Sequence, residues 1–164
     1  MFYNCSSLIE INLGKLDFVL SNNFSGMFNG CNNLEKLDVS YFNTNNSKSF
    51  EYMFFECFKL KEINVSKFKT TNCENIKRMF SGCNALESID MLNWDMKNIN
   101  DIDYLFYSCH KLKNIKMNFN NDKKLSFDKI FRGLPEGGSF VWKKGINCND
   151  LLKYIPVSWN RTQE

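Results

Sequence analysis

Residues 76–94 read IKRMFSGCNALESIDMLNW, and this stretch decides the fold. Its first apolar positions recur every three or four residues, at Ile76, Met79, Phe80, Cys83 and Leu86. That spacing is typical of one face of a helix. Ile89 and Met91 then alternate with polar neighbours, which indicates a short strand. A unit of this size has too little surface to bury its own apolar face, so it must pack on neighbours of the same kind.

The same pattern recurs along the chain with a period of 26 residues. Five of the seven cysteines keep this step, at Cys5, Cys31, Cys57, Cys83 and Cys109. Two further columns with the same step are Leu8, Leu34, Leu60, Leu86 and Leu112, and Phe2, Phe28, Phe54, Phe80 and Phe106. Disulfide frameworks and CxxC zinc sites do not have this cysteine spacing. A fixed period of this kind predicts a solenoid whose stacked coils share one core, with the thiols inside it.

The spacing Leu86-x-x-Ile89-x-Met91-x-x-Trp94 is the leucine-rich pattern with a bulky closing residue. The fold class predicted is therefore α/β: a leucine-rich-repeat solenoid of about five 26-residue coils over residues 1–131. A parallel sheet forms one face and short helices form the other. Large residues close the coils, at Leu16, Phe42, Phe68 and Trp94. The residues that precede the predicted helices, Asn46, Asn72 and Asn98, are candidates for helix N-caps or for a ladder of side chains between coils.

The repeat ends in the last fifth of the chain. Ile130-Phe131 follows Leu105-Phe106 by 25 residues instead of 26, which indicates one deleted residue around 117–122. A turn-rich segment follows at 133–139. Residues 132–164 are predicted to be a small C-terminal cap on the last coil, with a strand at 140–142, a short helix at 149–154 and a final strand at 157–159.

The segment from Met27 to Asn46 closely fits the motif M-F-x-x-C-x-x-L-x-x-L-D-L-S-x-F-D-T-S-N-V. The chain thereby resembles the BspA-type leucine-rich repeats of bacterial and protist surface proteins. The resemblance covers about residues 1–131, but it departs at 15–20 and fades after Lys116. It implies a curved binding solenoid, used in adhesion, host contact or surface display, and a surface or secreted location. Residues 1–5 show no signal peptide, so the sequence itself leaves the location open.

Several function classes are disfavoured by composition. The net charge of +3 is too small to favour nucleic acid or an anionic membrane as a partner. No run of about 18 apolar residues predicts a membrane span. Cys109-His110 suggests a nucleophile and its base, but neighbouring helix residues point to different faces, and Cys109 belongs to the core column. We therefore expect no enzyme, no catalytic residue, no cofactor and no metal site.

The outward positions of the predicted strands are the candidate binding surface. They form two polar columns that begin at Glu10 and Asn12. The candidate partner-binding residues among them are Lys36, Asp38, Glu62, Asn64, Ser88, Asp90, Asn114 and Lys116. A partner protein or a surface glycan would bind there. The absence of aromatic residues argues weakly against a sugar platform or a tight protein hot spot, and a merely solvated face is the alternative.

The sequence thus predicts a non-enzymatic binding module that recognises its partner through the sheet face. A purely structural segment of a longer adhesin is one alternative, and an intracellular, immunity-type interaction protein is another. The first strand, around 9–13, would be an open edge. Either the array continues upstream of it, or this edge associates with another molecule, including a second copy of the chain.

Overall fold

The computed structural model describes residues 1–14, 18, 20–121, 123, 125–143 and 148–164. These residues form a parallel β-solenoid of about six coils. The strands are short, and in chain order they are β1 (Glu10–Ile11), β2 (Lys36–Leu37), β3 (Ser88–Met91), β4 (Asn114–Met117), β5 (Ser139–Trp142) and β6 (Asn160–Gln163). β1 pairs with β2, and β3 to β6 form a second parallel sheet in sequence order.

The register of the strands confirms the predicted stacking. Ile89 lies opposite Ile115 and Met91 opposite Met117, so like residues separated by 26 positions are neighbours. Between β4 and β5 the step is 25, with Asn114 opposite Ser139, as one deleted residue requires. Sheet side chains alternate between core and solvent, which explains the apolar and polar columns.

Coil three is the exception in the sheet. Its residues 62–65 keep the alternation, with Ile63 and Val65 buried and Glu62 and Asn64 exposed. They nevertheless form no strand, and within the described chain no backbone hydrogen bond joins Glu62, Ile63 or Asn64 to either neighbouring coil. The sheet is therefore interrupted between β2 and β3.

The helices predicted within the 26-residue coils are wrong. Within the described part of the chain the one helix is α1 (Asn149–Leu152), near the C-terminus. The segments that begin each coil are successive tight turns, which we call the turn ribbon. Alternate N–H groups of the ribbon bond to the next coil; the Phe54 N–H, for example, donates to the Met79 carbonyl at 2.9 Å. The groups between them close turns within the coil, as Cys57 does with the Phe54 carbonyl at 3.2 Å.

Two left-handed positions per coil make the ribbon possible. One column has positive φ at Gly26, Tyr52, Arg78, Tyr104 and Lys129. The other has it at Asn4, Gly30, Glu56, Gly82, Ser108 and Gly133. Adding a Cβ to Gly82 would place it 3.3 Å from the Glu56 Cα of the coil below. Helices are about 10–12 Å wide and bond internally, whereas the ribbon lets coils bond to each other at the spacing of about 4.8 Å that the sheet has.

The core consists of stacked columns. Ring centroids along the Phe2–Phe28–Phe54–Phe80–Phe106 column are 5.4–5.8 Å apart, with interplanar angles of 6–14°. The closing residues form a second stack, Phe42–Phe68–Trp94. The Trp94 indole donates to the Val65 carbonyl at 3.0 Å. Leu16, predicted to begin this stack, lies outside the described residues.

Four cysteine thiols bond to the preceding coil. The Cys83 Sγ donates to the Phe54 carbonyl at 3.1 Å, and Cys31, Cys57 and Cys109 repeat this contact. Burial raises the pKa of Cys31 to about 11 and that of Cys109 to about 12. Cys5 is exposed, although the column predicted it to be buried, because no coil precedes it in the structure. The cysteines are free thiols.

The predicted N-cap role of the asparagines is also wrong, since no helix follows them in the described chain. The alternative of a side-chain ladder is confirmed for two of them. The Asn72 amide donates to the Asn45 carbonyl at 2.9 Å, and the Asn98 amide donates to the Thr71 carbonyl at 2.7 Å.

The C-terminal segment continues the sheet beyond the five predicted coils. The strand predicted at 140–142 and the helix predicted at 149–154 correspond to β5 and α1. The strand predicted at 157–159 is wrong, because Trp159 closes a turn onto the Pro156 carbonyl and β6 begins one residue later. Phe140 packs on Phe131, so this segment covers the last ribbon turn. Among the helices described, none has the length and apolarity to span a membrane.

Candidate functional site

An open groove of about 830 Å³ crosses the sheet face between β2 and β4, and we call it the sheet-face groove. All eight candidate binding residues line it: Lys36, Asp38, Glu62, Asn64, Ser88, Asp90, Asn114 and Lys116. The structure therefore brings the predicted residues together on one surface. The buried side chains of Leu37, Ile63 and Ile89 lie beneath them.

The interruption of the sheet lies in the middle of this groove. Coil three supplies Glu62, Ile63 and Asn64, whose backbone groups make no bond to the coils beside them in the described chain. The turn ribbon on the other side of the molecule stays continuous through the same coils, for instance from Phe28 to Met53 and from Phe54 to Met79. The coils are thus bonded continuously on their ribbon side, whereas on the sheet side the backbone groups of Glu62, Ile63 and Asn64 make no bond to a neighbouring coil within the described chain.

The side chains of one polar column, Asp38, Asn64 and Asp90, stabilise turns of the backbone. Each side-chain oxygen accepts the backbone N–H two residues later, at 2.8 Å for Asp38, 3.1 Å for Asn64 and 3.0 Å for Asp90. Such turns end the strands and direct the chain towards the closing aromatic residue. Hydrogen bonds from the Ser40 backbone and hydroxyl lower the pKa of Asp38, which keeps this carboxyl charged. Sequence reasoning missed this role, although an Asn or Asp at a strand end is a known signal for it.

The other polar column of the groove, Lys36, Glu62, Ser88 and Asn114, makes fewer side-chain contacts. Among the described residues, no side-chain hydrogen bond or ion pair is formed by Lys36, Glu62 or Ser88, and all three are exposed. At the C-terminal end, Asn114 accepts from the Ser139 hydroxyl at 2.9 Å. The groove therefore offers an ammonium, a carboxylate and a hydroxyl in three successive coils, with no partner within the described part of the molecule.

Lys116 forms an ion pair with the side chain of Glu164. Its ammonium lies 3.0 Å from the Glu164 carboxylate, and this hydrogen bond raises its pKa. The contact joins β4 to the residue that follows β6, so the predicted binding residue also serves to fix the end of the chain.

Charges along the edge of the groove compensate one another. Glu35, Lys61 and Glu87 alternate in sign from coil to coil and line a shallow depression together with Lys36 and Glu62. Opposite charges in neighbouring strands attract and like charges repel, so this arrangement favours the observed stacking. A groove with this balance has no strong field of either sign.

The pairing of Cys109 with His110 is not a nucleophile and its base. The buried Cys109 thiol donates to the Phe80 carbonyl at 3.0 Å, whereas the exposed His110 ring has Nδ1 3.0 Å from the Gly133 carbonyl. Across the described residues, no three His, Cys, Asp or Glu side chains are grouped so that they could hold a metal ion.

The fold and this surface define a repeat protein built as a parallel β-solenoid with one polar, open face. The chain belongs to the family described as "Mycoplasma protein of unknown function, DUF285", whose model matches residues 1–119. That match spans the repeats up to Phe119. No curated protein matches the chain, and no solved structure does.

Proposed function

We propose that this chain is a non-enzymatic interaction module of the BspA-like leucine-rich type, and that its sheet-face groove binds a segment of a partner protein or a surface glycan. The observation that supports this most directly is the set of Lys36, Glu62 and Ser88. They are exposed in successive coils, line one groove and have no partner in the described part of the chain. The family resemblance adds adhesion at a cell surface as the setting.

The chemistry of the groove favours a polar partner without a strong net charge. Its edge charges alternate in sign, so a highly charged ligand gains little from them. The buried apolar residues beneath the groove do not reach solvent as a continuous patch, because polar side chains from each coil stand between them. An extended chain with alternating donors and acceptors fits such a surface, whether it is a peptide or an oligosaccharide.

Two purified variants and two printed arrays test the proposal. Ser88→Trp places a large ring in the middle of the groove without removing an internal contact, because the Ser88 side chain is exposed. Ser7→Trp makes the same change on exposed coil one, outside the groove. The wild-type chain and both variants are applied to an array of oligosaccharides and an array of peptides.

The proposal expects the wild-type chain and Ser7→Trp to bind the same member of one array, and Ser88→Trp to lose that binding. Thermal unfolding followed by circular dichroism verifies that all three are folded. Absence of binding to both arrays overturns the proposal, and so does a ligand that Ser88→Trp binds as well as wild type does.

A further inference from the structure

A second surface lies on the turn ribbon, away from the sheet. Tyr52, Arg78, Tyr104 and Lys129 occupy the same left-handed position in successive coils, with φ values of 50–58°. Coil two has Gly26 there, and glycine is the residue that this backbone conformation favours. Four large side chains at an unfavourable position indicate that these side chains contribute something that glycine could not.

Part of that contribution is a stack of rings and cations. The Arg78 guanidinium carbon lies 4.3 Å from the centre of the Tyr104 ring and 5.8 Å from that of Tyr52. Lys129 lies 5.1 Å from the Tyr104 ring centre and donates to the Tyr104 hydroxyl at 2.9 Å. The Arg78 contacts are favourable cation–π interactions, whereas Lys129 meets the Tyr104 ring at its hydroxyl.

Two more aromatic residues widen this surface. Phe55 packs against Tyr52 with ring centroids 5.4 Å apart, and Tyr107 packs against Tyr104 at 5.5 Å. All four aromatic side chains and Arg78 are partly exposed. We call the five residues Tyr52, Phe55, Arg78, Tyr104 and Tyr107 the Arg78 face.

The charge of Arg78 is not neutralised inside the described molecule. Its side chain makes no hydrogen bond or ion pair among the described residues, and its Nε is shielded from solvent without an acceptor. No ion pair joins Arg78 to Asp101 or Asp103 within the described residues. Asp101 pairs with Lys77 at 3.0 Å, and Asp103 accepts the Asp128 backbone N–H at 3.0 Å. The Arg78 guanidinium lies between the Tyr52 and Tyr104 rings. Its terminal N–H groups can then donate to a planar oxyanion such as a carboxylate.

We propose that the Arg78 face is a second interaction surface, which binds a carboxylate of an acidic peptide segment in a partner protein. Tyrosine and arginine are, with tryptophan, the residues enriched in protein–protein hot spots, and the sheet-face groove is lined by none of the three. The flanking rings of Phe55 and Tyr107 suit the aliphatic part of the acidic side chain and its neighbours. The Arg78 face is independent of the sheet-face groove, so either surface can function without the other.

The test titrates ¹⁵N-labelled chain with a blocked peptide of alternating Glu and Gly. NMR follows the Arg78 Nε–H signal in the wild-type chain and, in every variant, the backbone amide signals of Tyr52, Phe55, Tyr104 and Tyr107. The same peptide with Gln in place of Glu is the ligand control, and inorganic phosphate is the small-oxyanion control. Arg78→Lys is the test variant; lysine is already accommodated at this backbone position in Lys129. Arg132→Lys is the matched variant, because Arg132 is exposed on the same ribbon and contacts no ring in the described structure.

The expected result is a saturable shift with the Glu peptide and none with the Gln peptide. Arg78→Lys should weaken the affinity by about tenfold or more, because lysine cannot form the bidentate contact, and Arg132→Lys should leave it unchanged. The inference is overturned if phosphate saturates the signal and the Glu peptide does not. It is equally overturned if both arginine variants weaken binding alike, or if Ser88→Trp abolishes it, since the peptide then binds by general charge or in the sheet-face groove.

Discussion

Replacing Phe80 by alanine tests whether the coils are held by in-register stacking. Phe80 is fully buried, with the Phe54 ring 5.6 Å away on one side and the Phe106 ring 5.8 Å away on the other. Removing a buried Phe costs about 3–5 kcal/mol, of which each lost ring pair supplies about 0.5–1.5 kcal/mol. In a chain of this size that corresponds to a fall in Tm of roughly 6–20 °C.

The end of the same column supplies the comparison. Phe2 is half-buried and stacks on one ring, Phe28, at 5.4 Å. Phe2→Ala should therefore cost about 1–2 kcal/mol, which is less than the cost at Phe80. Val157→Ala is the control outside the stack, since Val157 is 96% exposed, and it should stay within about 0.5 kcal/mol of wild type.

Equilibrium unfolding in urea, followed by circular dichroism, measures all three variants. The midpoint gives the ranking, and the slope shows whether the transition stays cooperative, which repeat arrays do not guarantee. Equal losses at Phe2 and Phe80 would refute the reasoning, because a stacked column must lose more from its interior than from its end.

Three further predictions address the turns, the thiols and the strand ends. Gly82→Ala should lower Tm more than Gly137→Ala, as thermal melts of the two variants would show. Both glycines have positive φ, but only a Cβ at Gly82 would meet backbone, at 3.3 Å from the Glu56 Cα. A thiol reagent at pH 8 should label Cys5 at once in the native chain and Cys109 only after unfolding. Burial also raises the pKa of Cys109 to about 12, so the folded chain keeps this proton at a pH where the unfolded chain loses it. The free energy of unfolding should therefore be unaffected by Cys109 below the ordinary thiol pKa of about 8.5 and should fall as the pH rises towards 12. Urea midpoints at increasing pH would show this fall. Asp38→Ala should lower Tm and Asp38→Asn should not, because the amide oxygen still accepts the turn N–H; calorimetry of both variants decides.

The stacking of the coils could be predicted from sequence because identity at a fixed step requires like environments. Leu86, Ile89 and Met91 reappear 26 residues later as Leu112, Ile115 and Met117, and the structure places the last two pairs side by side. A polar or apolar column is therefore visible in the order of the residues alone. The site residues of the sheet face followed from the same reasoning, since period-two alternation decides which side chains point outward.

The conformation between the strands could not be predicted from apolar spacing. Met79, Phe80 and Cys83 are placed equally well on a helix face and on a ribbon of tight turns. What separates the two is the left-handed pair four residues apart, Arg78 and Gly82. Glycines at 26, 30, 82 and 133 were the available signal, because interior glycines disfavour a helix. The large residues at 52, 78 and 104 concealed it.

The exposed columns of the solenoid obey a rule that the buried ones do not. Identical apolar side chains pack well on one another, so the core columns repeat. Identical charges at a spacing of about 5 Å repel, so a stacked array must vary its exposed columns, as Glu35, Lys61 and Glu87 do. In the ribbon, Tyr104 separates the cations Arg78 and Lys129 for the same reason. Variation on the surface of this fold is thus first an electrostatic requirement. A charge that is already separated from like charges and still has no ion-pair partner therefore points to function. Arg78 is such a charge within the described residues.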